Sequence, residues 1–322
     1  MTNLNSNFHK IPRQVRRALM FGAIRGALSL SRYMSPRTAV AFGTSLGEAA
    51  RLVPPLRSRL TRNLVLGFKA RSVPAGTAEK YFQNLGRSYG WAMDVYHRGF
   101  WRSCVPDCIE FDDSVSHLDQ AVARGKGVIV VMTHQFCYEL AGAYINGRHK
   151  AVAIVREQDD PRRVSLKSQW YNATGLTTVR RPRHSSLAAD MYACLSVLKS
   201  GSLLGITPDT IVSRTSGVPV EMFGREVNLS PGFLLIAMRA QAPVVTGHIR
   251  WKTPDRLVIN FTEPREYSRR GDDLKTRLTE GLQSWCREFE ERVLTSPQDW
   301  MFWLDKRWTK VFRSQSNGAG ML

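Results

Sequence analysis

Residues 127–142 read GVIVVMTHQFCYELAG, and this stretch decides the fold class of the 322-residue chain. Five apolar residues follow Gly127 without interruption, which is typical of a strand buried on both faces of a sheet. A short polar loop separates this strand from a helical pattern that begins near residue 136. A buried strand that leads into a helix is the repeating unit of a parallel α/β sheet.

Strand and helix signals alternate over the rest of the chain in the same way. Apolar runs predict strands at 127–132, 151–155, 177–179, 202–206, 244–249 and 256–261. Helical patterns lie at 136–145, 162–173, 185–199, 231–240 and 272–294. We therefore predict an α/β fold with a mostly parallel central sheet flanked by helices.

The positive charge of the chain is concentrated at its beginning. The formal net charge is +19, and residues 1–75 contain 13 Lys and Arg residues against one acidic residue, Glu48. Over 16–34, helical spacing places Arg25 and Arg32 on one face and apolar residues on the other. The apolar runs in this stretch are too short to cross a bilayer. We predict an N-terminal amphipathic helical extension in the membrane surface, although packing on the domain explains the pattern equally well. The predicted regions are a basic helical part, 1–100, an α/β domain, 101–313, and a flexible tail, 314–322.

Cysteine usage and charge limit the possible classes of protein. The five cysteines contain no C-x-x-C pair, which argues against a disulfide framework or a zinc site and indicates a reduced, cytosol-facing protein. A basic region can bind nucleic acid, anionic lipid or an acidic carrier protein. A nucleic-acid-binding protein is the remote alternative, because no helix-turn-helix, zinc-finger or RNA-recognition signature accompanies the charge.

The loop after strand 127–132 contains the strongest candidate for catalysis, His134. Ligands of open parallel sheets bind beyond the carboxyl ends of the strands, and His134 follows such an end. Glu139 lies five residues later, and a carboxylate that accepts the Nδ1 proton leaves Nε2 free to act as a general base. The alternative interpretation is a histidine that only satisfies the start of a helix.

A second motif, GTSLG at 43–47, matches the G-x-S-x-G nucleophile elbow of α/β-hydrolases. The elbow requires a buried strand before the serine, whereas residues 40–50 are small residues with a helical pattern. We therefore predict a helix here and no nucleophile.

An ordered set of sequence blocks resembles the late acyltransferases of bacterial lipid A biosynthesis, the lauroyl and myristoyl transferase family. The block THQFCYE at 133–139 resembles the H-x4-D/E motif of that family. The blocks AIVR, GITPD and VPVEMFGR, which end at Arg156, Asp209 and Arg225, follow in the family's order. The block SPQDWMFWLDKRW at 296–308 resembles its tryptophan-rich ending. The resemblance extends over most of the chain.

The resemblance implies a glycerolipid acyltransferase-like fold and an inner-membrane enzyme whose catalytic domain faces the cytoplasm. Such an enzyme moves a fatty acyl chain from acyl carrier protein to a hydroxyl of a lipid A-type glycolipid. By the resemblance, His134 is the general base and Glu139 its orienting partner. Arg156 contacts phosphate or the oxyanion, Asp209 supports the acceptor site, and Arg225 binds an anionic headgroup. The implied partners are acyl carrier protein, a membrane glycolipid and an anionic membrane surface, without nucleic acid, metal or cofactor.

Two departures from the family's pattern leave the acceptor open. The residues around Asp209 differ from those of many members, and Asp305 stands where the closing motif often has histidine. Lysophosphatidate, glycerol phosphate and a mannosylated inositol lipid are the alternative acceptors.

The tryptophans of the closing block have two interpretations. Trp300, Trp303 and Trp308 alternate with basic residues, as in side chains at the level of lipid headgroups. An aromatic cluster that packs the C-terminus onto the domain gives the same pattern.

Overall fold

The computed structural model describes residues 13–157, 160–181, 187–268 and 273–314. Four helices come first: α1, Arg13–Ser31; α2, Pro36–Arg51; α3, Pro54–Phe68; and α4, Thr77–Arg98. α1 contains most of the predicted helix 16–34. Within the described ranges, no helix has the length and apolar character that crossing a membrane requires. The predicted tail, 314–322, lies outside the described residues except for Ser314.

Strands and helices alternate after α4, as the sequence predicts. The strands are β1, Ile109–Phe111; β2, Val128–Val131; β3, Ala151–Arg156; β4, Thr177–Arg181; β5, Leu203–Ile206; β6, Val218–Met222; β7, Arg225–Leu229; β8, Val244–Thr253; and β9, Arg256–Phe261. The helices are α5, Val115–Ala123; α6, Tyr138–Arg148; α7, Pro161–Thr174; α8, Leu187–Lys199; α9, Gly232–Ala240; α10, Leu274–Thr295; and α11, Lys306–Ser314. Two short 3₁₀ helices, Pro297–Asp299 and Met301–Leu304, connect α10 to α11.

Seven of the strands that the structure describes form one sheet, in the order β1-β9-β8-β2-β5-β3-β4. All neighbours are parallel except β8 and β9, which are antiparallel because a tight turn joins them. The prediction of a mostly parallel central sheet is confirmed. Val130 of β2 pairs with Gly205 of β5, so the carboxyl ends of these two strands meet at one edge.

Two apolar cores cover the two faces of the sheet. In β2, Ile129 and Val131 belong to one core and Val128 and Val130 to the other. Successive side chains of a strand point to opposite faces, so a central strand with both faces covered must be apolar at every position. This double burial explains the uninterrupted apolar run from which the fold class was predicted.

The structure contains three strands that the sequence analysis did not predict: β1, β6 and β7. β6 and β7 form an antiparallel hairpin outside the main sheet. The side-chain amide of Gln283, in α10, exchanges two hydrogen bonds of 2.8 Å with the backbone of Glu221. The hairpin is thereby held against α10.

The tryptophans of the closing block belong to the core. Trp300, Trp303 and Trp308 are all 0% exposed and pack around Phe223 and Phe312. Their placement at lipid headgroups is therefore wrong, and the aromatic-cluster interpretation is correct. Burial of these large aromatic rings stabilises the folded protein.

Residues 43–47 lie within α2 and are not a nucleophile elbow, as predicted. Gly43 and Gly47 face Gly86 and Gly90 of α4, and the two helix backbones are in direct contact. A Cβ atom added to Gly86 would lie 2.4 Å from the carbonyl oxygen of Gly43. The glycines of the G-x-S-x-G pattern therefore serve helix packing.

Replacing Gly86 by alanine is expected to destabilise the protein by about 1–3 kcal/mol, because the helix backbones must separate to admit the methyl group. Gly26, in α1, is the matched control, since a Cβ there meets nothing within 4 Å. Gly26→Ala should be neutral or stabilise by up to about 1 kcal/mol, as alanine is the better helix former. Urea unfolding measures both changes. Equal effects from the two substitutions would contradict the packing role of Gly86.

Candidate active site

His134 and Asp209 form a hydrogen-bonded pair at the carboxyl edge of β2 and β5. The Nδ1–H of His134 donates to Asp209 Oδ1 over 2.7 Å, and the backbone N–H of His134 donates to Oδ2 over 2.9 Å. Asp209 is 0% exposed, whereas the side chain of His134 is 19% exposed. Because the carboxylate accepts at Nδ1, the lone pair of the neutral imidazole lies on Nε2.

The electrostatic environment of His134 favours the protonated ring. Burial by itself lowers the pKa of His134, but the negative charge and hydrogen bond of Asp209 outweigh it and raise the pKa above its ordinary value. An imidazole with a raised pKa accepts a proton readily and returns it later. These are properties that a general base requires.

The segment between α10 and α11, together with the first turn of α11, completes the site. The indole N–H of Trp300 donates to Asp209 Oδ2 over 3.0 Å, and that of Trp308 donates to the Asp209 carbonyl over 3.1 Å. The Phe302 ring stacks on the His134 imidazole, with centroids 4.3 Å apart and planes at 20°. Both members of the pair are therefore oriented by aromatic side chains from the closing block.

Backbone hydrogen bonds join this segment to the His134 loop. The N–H of Phe136 donates to the Asp299 carbonyl, and the N–H of Met301 donates to the His134 carbonyl, both over 2.9 Å. On the other side of the loop, the amide of Gln135 exchanges two hydrogen bonds of 2.7 and 2.9 Å with the backbone of Ile249. The loop that carries His134 is therefore fixed between β8 and the closing segment.

The predicted pairing of Glu139 with His134 is wrong, because Asp209 occupies Nδ1. The Glu139 carboxylate instead accepts hydrogen bonds from Lys167 Nζ at 2.6 Å, the Trp170 indole at 2.8 Å and the Tyr171 hydroxyl at 2.9 Å. All three partners belong to α7, whereas Glu139 lies in the first turn of α6. The glutamate of the H-x4-E motif thus links α6 to α7.

The local backbone conformation explains why Glu139 does not contact His134. Cys137 has φ = 67°, in the left-handed region, and ends the His134 loop just before α6 begins at Tyr138. The five-residue spacing therefore crosses a turn, and helical geometry does not place Glu139 beside His134. The family resemblance implies that Asp209 supports the acceptor site, whereas the structure places its carboxylate against the imidazole.

The two arginines assigned to substrate binding have different surroundings. Arg156 ends β3, is exposed, and pairs in register with Arg181 of β4 at the same carboxyl edge as His134. Arg225 Nη1 donates to the carbonyls of Leu66 and Phe223 over 2.9 and 2.8 Å. Burial also lowers the pKa of Arg225. These contacts fasten β7 to α3, and they do not support the predicted headgroup role of Arg225.

Neither a metal centre nor a cysteine nucleophile is suggested by the neighbouring side chains. In the part of the chain that the structure describes, no group of three His, Cys, Asp or Glu residues is placed to hold a metal ion. Cys137, the thiol nearest in sequence to His134, is buried, and burial raises its pKa to about 12. A thiol with this pKa is almost fully protonated at neutral pH and is a poor nucleophile.

Sequence reasoning missed Gln135, Trp300 and Phe302 as residues of the site. The closing block is conspicuous for its tryptophans, but nothing in its local pattern indicates contact with a loop more than 160 residues earlier. No local signal in the sequence identifies Trp300 and Phe302, because their partners Asp209 and His134 lie far away in the chain.

The protein-family model described as bacterial lipid A biosynthesis acyltransferase matches residues 7–310 of the chain. The match includes His134, Asp209 and the closing segment. Among curated proteins, none matches the chain.

Proposed function

Because the chain belongs to the bacterial lipid A biosynthesis acyltransferase family and is an acyltransferase, we propose that it moves a fatty acyl chain from acyl carrier protein to a hydroxyl of a lipid A-type glycolipid. One observation carries the mechanism: a partly exposed His134 whose Nδ1 is held by a buried Asp209. This arrangement leaves Nε2 as the proton acceptor. His134 is then the general base and Asp209 its orienting partner.

The proposed reaction is a single displacement. His134 Nε2 takes the proton of the acceptor hydroxyl as its oxygen attacks the thioester carbonyl carbon. The carbon–sulfur bond of the tetrahedral intermediate then breaks, and the imidazolium returns the proton to the leaving thiolate. Asp209 stabilises the imidazolium between these steps, and backbone N–H groups at the start of α6 or Arg156 stabilise the oxyanion. No metal or cofactor takes part.

Charge supports both proposed substrates. A lipid A-type acceptor carries phosphate, and the guanidinium of Arg156 is exposed at the edge of the sheet beside the site. Acyl carrier protein is acidic, and α11 presents Lys306 and Lys310 in exposed positions. α11 begins four residues after Phe302, which stacks on His134. A carrier bound at α11 would therefore dock close to the catalytic pair.

We place the enzyme at the cytoplasmic face of the inner membrane, as a peripheral protein. α1 supports this placement, because Leu19, Ile24 and Leu30 are 59%, 40% and 60% exposed. The end of α1 is attached to α4, where His97 Nε2 lies 2.6 Å from the Leu28 carbonyl oxygen. An attached basic helix with exposed aliphatic side chains suits the surface of an anionic bilayer.

The test is transfer of labelled acyl groups from acyl carrier protein to a panel of acceptors by membranes that contain the wild type or His134→Ala. The panel contains a lipid A precursor, lysophosphatidate, glycerol phosphate and a mannosylated inositol lipid. Labelling of the lipid A precursor alone, lost in the variant, is the expected result. Labelling of another acceptor would replace the proposed acceptor. Labelling from acyl-coenzyme A but not from acyl carrier protein would replace the proposed donor.

Glu139→Gln is expected to raise KM for the acceptor several-fold and to lower kcat by less than about tenfold. The substitution removes the charge that holds Lys167 and weakens the link from α6 to α7, while the Nδ1 partner of His134 stays in place. Lys167→Met breaks the same link from the α7 side, and we expect the same changes in KM and kcat. Steady-state kinetics with varied acceptor measures both. A loss of kcat as large as that of Asp209→Asn would return Glu139 to the role of orienting partner.

A further inference from the structure

The corner between α2 and α3 contains a basic cavity that the proposed acyl transfer does not use. Its volume is about 630 Å³, and its lining is Arg51, Leu52, Pro54, Arg57, Ser58, Thr61 and Arg62. We call this cavity the corner pocket. Two prolines begin α3 directly after Leu52 and Val53, so the corner is a sharp, rigid turn.

The polar lining of the corner pocket suits a phosphate group. It contains three guanidinium groups and two hydroxyls and no acidic side chain. Arg51 is fixed by Glu48, whose carboxylate lies 2.7 Å from its Nε. Arg57 and Arg62 are exposed and form no ion pair with the acidic residues that the structure describes. Guanidinium groups donate bidentately to phosphate oxygens, and two of the three are available to do so.

The rim of the corner pocket is apolar and protrudes. Leu52 is 73% exposed and Val53 is 42% exposed. Nine of the 13 large hydrophobic side chains that are exposed in the described ranges lie between residues 15 and 65. A soluble phosphate compound does not need exposed aliphatic side chains beside its binding site, whereas a lipid whose phosphate borders an acyl layer does.

We propose that the corner pocket binds the phosphate of an anionic phospholipid, with Leu52 and Val53 inserted at the headgroup boundary. The guanidinium groups then lie at phosphate depth and the aliphatic rim just below it. The site is a second attachment point to the bilayer, separate from α1, and it requires neither substrate nor turnover. It therefore goes beyond the proposed acyl transfer and stands even if the donor or acceptor assignment fails.

An acidic protein is the competing occupant, and the aliphatic rim argues against it. Protein surfaces that dock by charge carry their apolar groups at the centre of the contact, not as a protruding rim. A bilayer, in contrast, accepts protruding leucine and valine side chains beneath a layer of phosphates.

The test is cosedimentation of the full chain with vesicles of neutral phosphatidylcholine, with or without anionic phosphatidylglycerol. Arg57→Ala/Arg62→Ala should weaken binding to the anionic vesicles about 10- to 30-fold, since each basic residue at a membrane surface contributes about 1 kcal/mol. Lys126→Ala/Lys199→Ala is the matched control. It removes the same charge from exposed positions just before β2 and at the end of α8, and it should change binding less than about threefold.

Two further variants separate a phosphate site from general attraction. Arg57→Lys/Arg62→Lys keeps the charge but loses bidentate geometry, and it should weaken binding several-fold. Leu52→Ser keeps the charge and should weaken binding about tenfold, because a leucine side chain no longer enters the bilayer. Unchanged urea unfolding midpoints, which are expected for these exposed positions, show that each variant is folded.

Several outcomes would overturn the proposal. If the arginine variant and the Lys126/Lys199 control lost vesicle binding equally, the net charge of the protein would explain the binding and the corner pocket would not. Full binding to anionic vesicles by the Leu52→Ser variant would show that Leu52 does not enter the bilayer and would contradict the proposed insertion of the aliphatic rim. Titration of the wild type with inorganic phosphate provides the third arm. Binding of inorganic phosphate that needs Arg57 and Arg62, without binding to anionic vesicles, would make the pocket a site for a soluble phosphate compound.

Discussion

Replacing His134 by alanine is expected to lower kcat for acyl transfer by about 10²- to 10⁴-fold, because in the proposed mechanism the acceptor hydroxyl then loses the group that removes its proton. The side chain is 19% exposed and Phe302 stacks on one face of its ring. Its loss therefore opens the site without removing a core residue. KM for the acceptor should change little, since the imidazole acts mainly in the transition state. Single-turnover transfer of labelled acyl groups measures the chemical step directly.

The chain offers a matched control for this substitution. His149 Nε2 lies 2.7 Å from Asp119 Oδ1, so the protein contains a second His–Asp pair at the same distance, although it is formed through the other ring nitrogen. That pair precedes β3, at the edge of the sheet opposite to the His134 loop. His149→Ala should retain wild-type kcat. Comparable losses in both variants, or retained activity in His134→Ala, would exclude His134 as the general base.

The fold was predictable where burial acts on both faces of an element. Central strands such as β2 must be apolar at every position, and that requirement is visible in a single sequence. The hairpin of β6 and β7 was not predictable in this way. Its residues alternate between buried and exposed positions, and Pro219 occurs within β6, where a proline normally argues against a strand. β1 contains three residues, too few for a periodic signal.

The candidate site was predictable only in part, because strand order is not a local property. The position of His134 after a buried strand identified it, and the same rule applies to Asp209 after β5. That β2 and β5 are neighbours depends on the crossover connections and on packing of helices over the whole sheet. Without that knowledge, the nearest carboxylate in sequence, Glu139, was the natural but wrong partner.

The closing block shows a related limit. Tryptophans among basic residues are compatible with a membrane interface and with a core, since the ring is apolar and its N–H is polar. The choice depends on whether an acceptor for that N–H is available inside the protein. Asp209 supplies two, a carboxylate oxygen for Trp300 and a backbone carbonyl for Trp308. These hydrogen bonds become visible only when residues far apart in sequence are brought together.

Asp209→Asn is expected to lower kcat by about 10²- to 10⁴-fold and to move the acid limb of the pH profile to lower pH. The amide has nearly the same shape, but it cannot stabilise the imidazolium, and it can hold the ring in the wrong tautomer. In the wild type, burial lowers the pKa of His134 and Asp209 raises it, with a net increase. Asparagine removes the negative charge of Asp209 that raises this pKa, so the lowering effect of burial dominates in the variant.

The direction of the pH shift follows from the state that reacts. A general base must be neutral, so kcat/KM of the wild type rises with pH through the raised pKa of His134. With a lowered pKa in Asp209→Asn, the same rise should occur at lower pH, onto a plateau that is much lower. The pH dependence of kcat/KM, with Asp119→Asn as the matched control, measures both changes. A purely structural role for Asp209 would lower the plateau without moving the limb, and a limb at higher pH would show that Asp209 does not stabilise the charged ring.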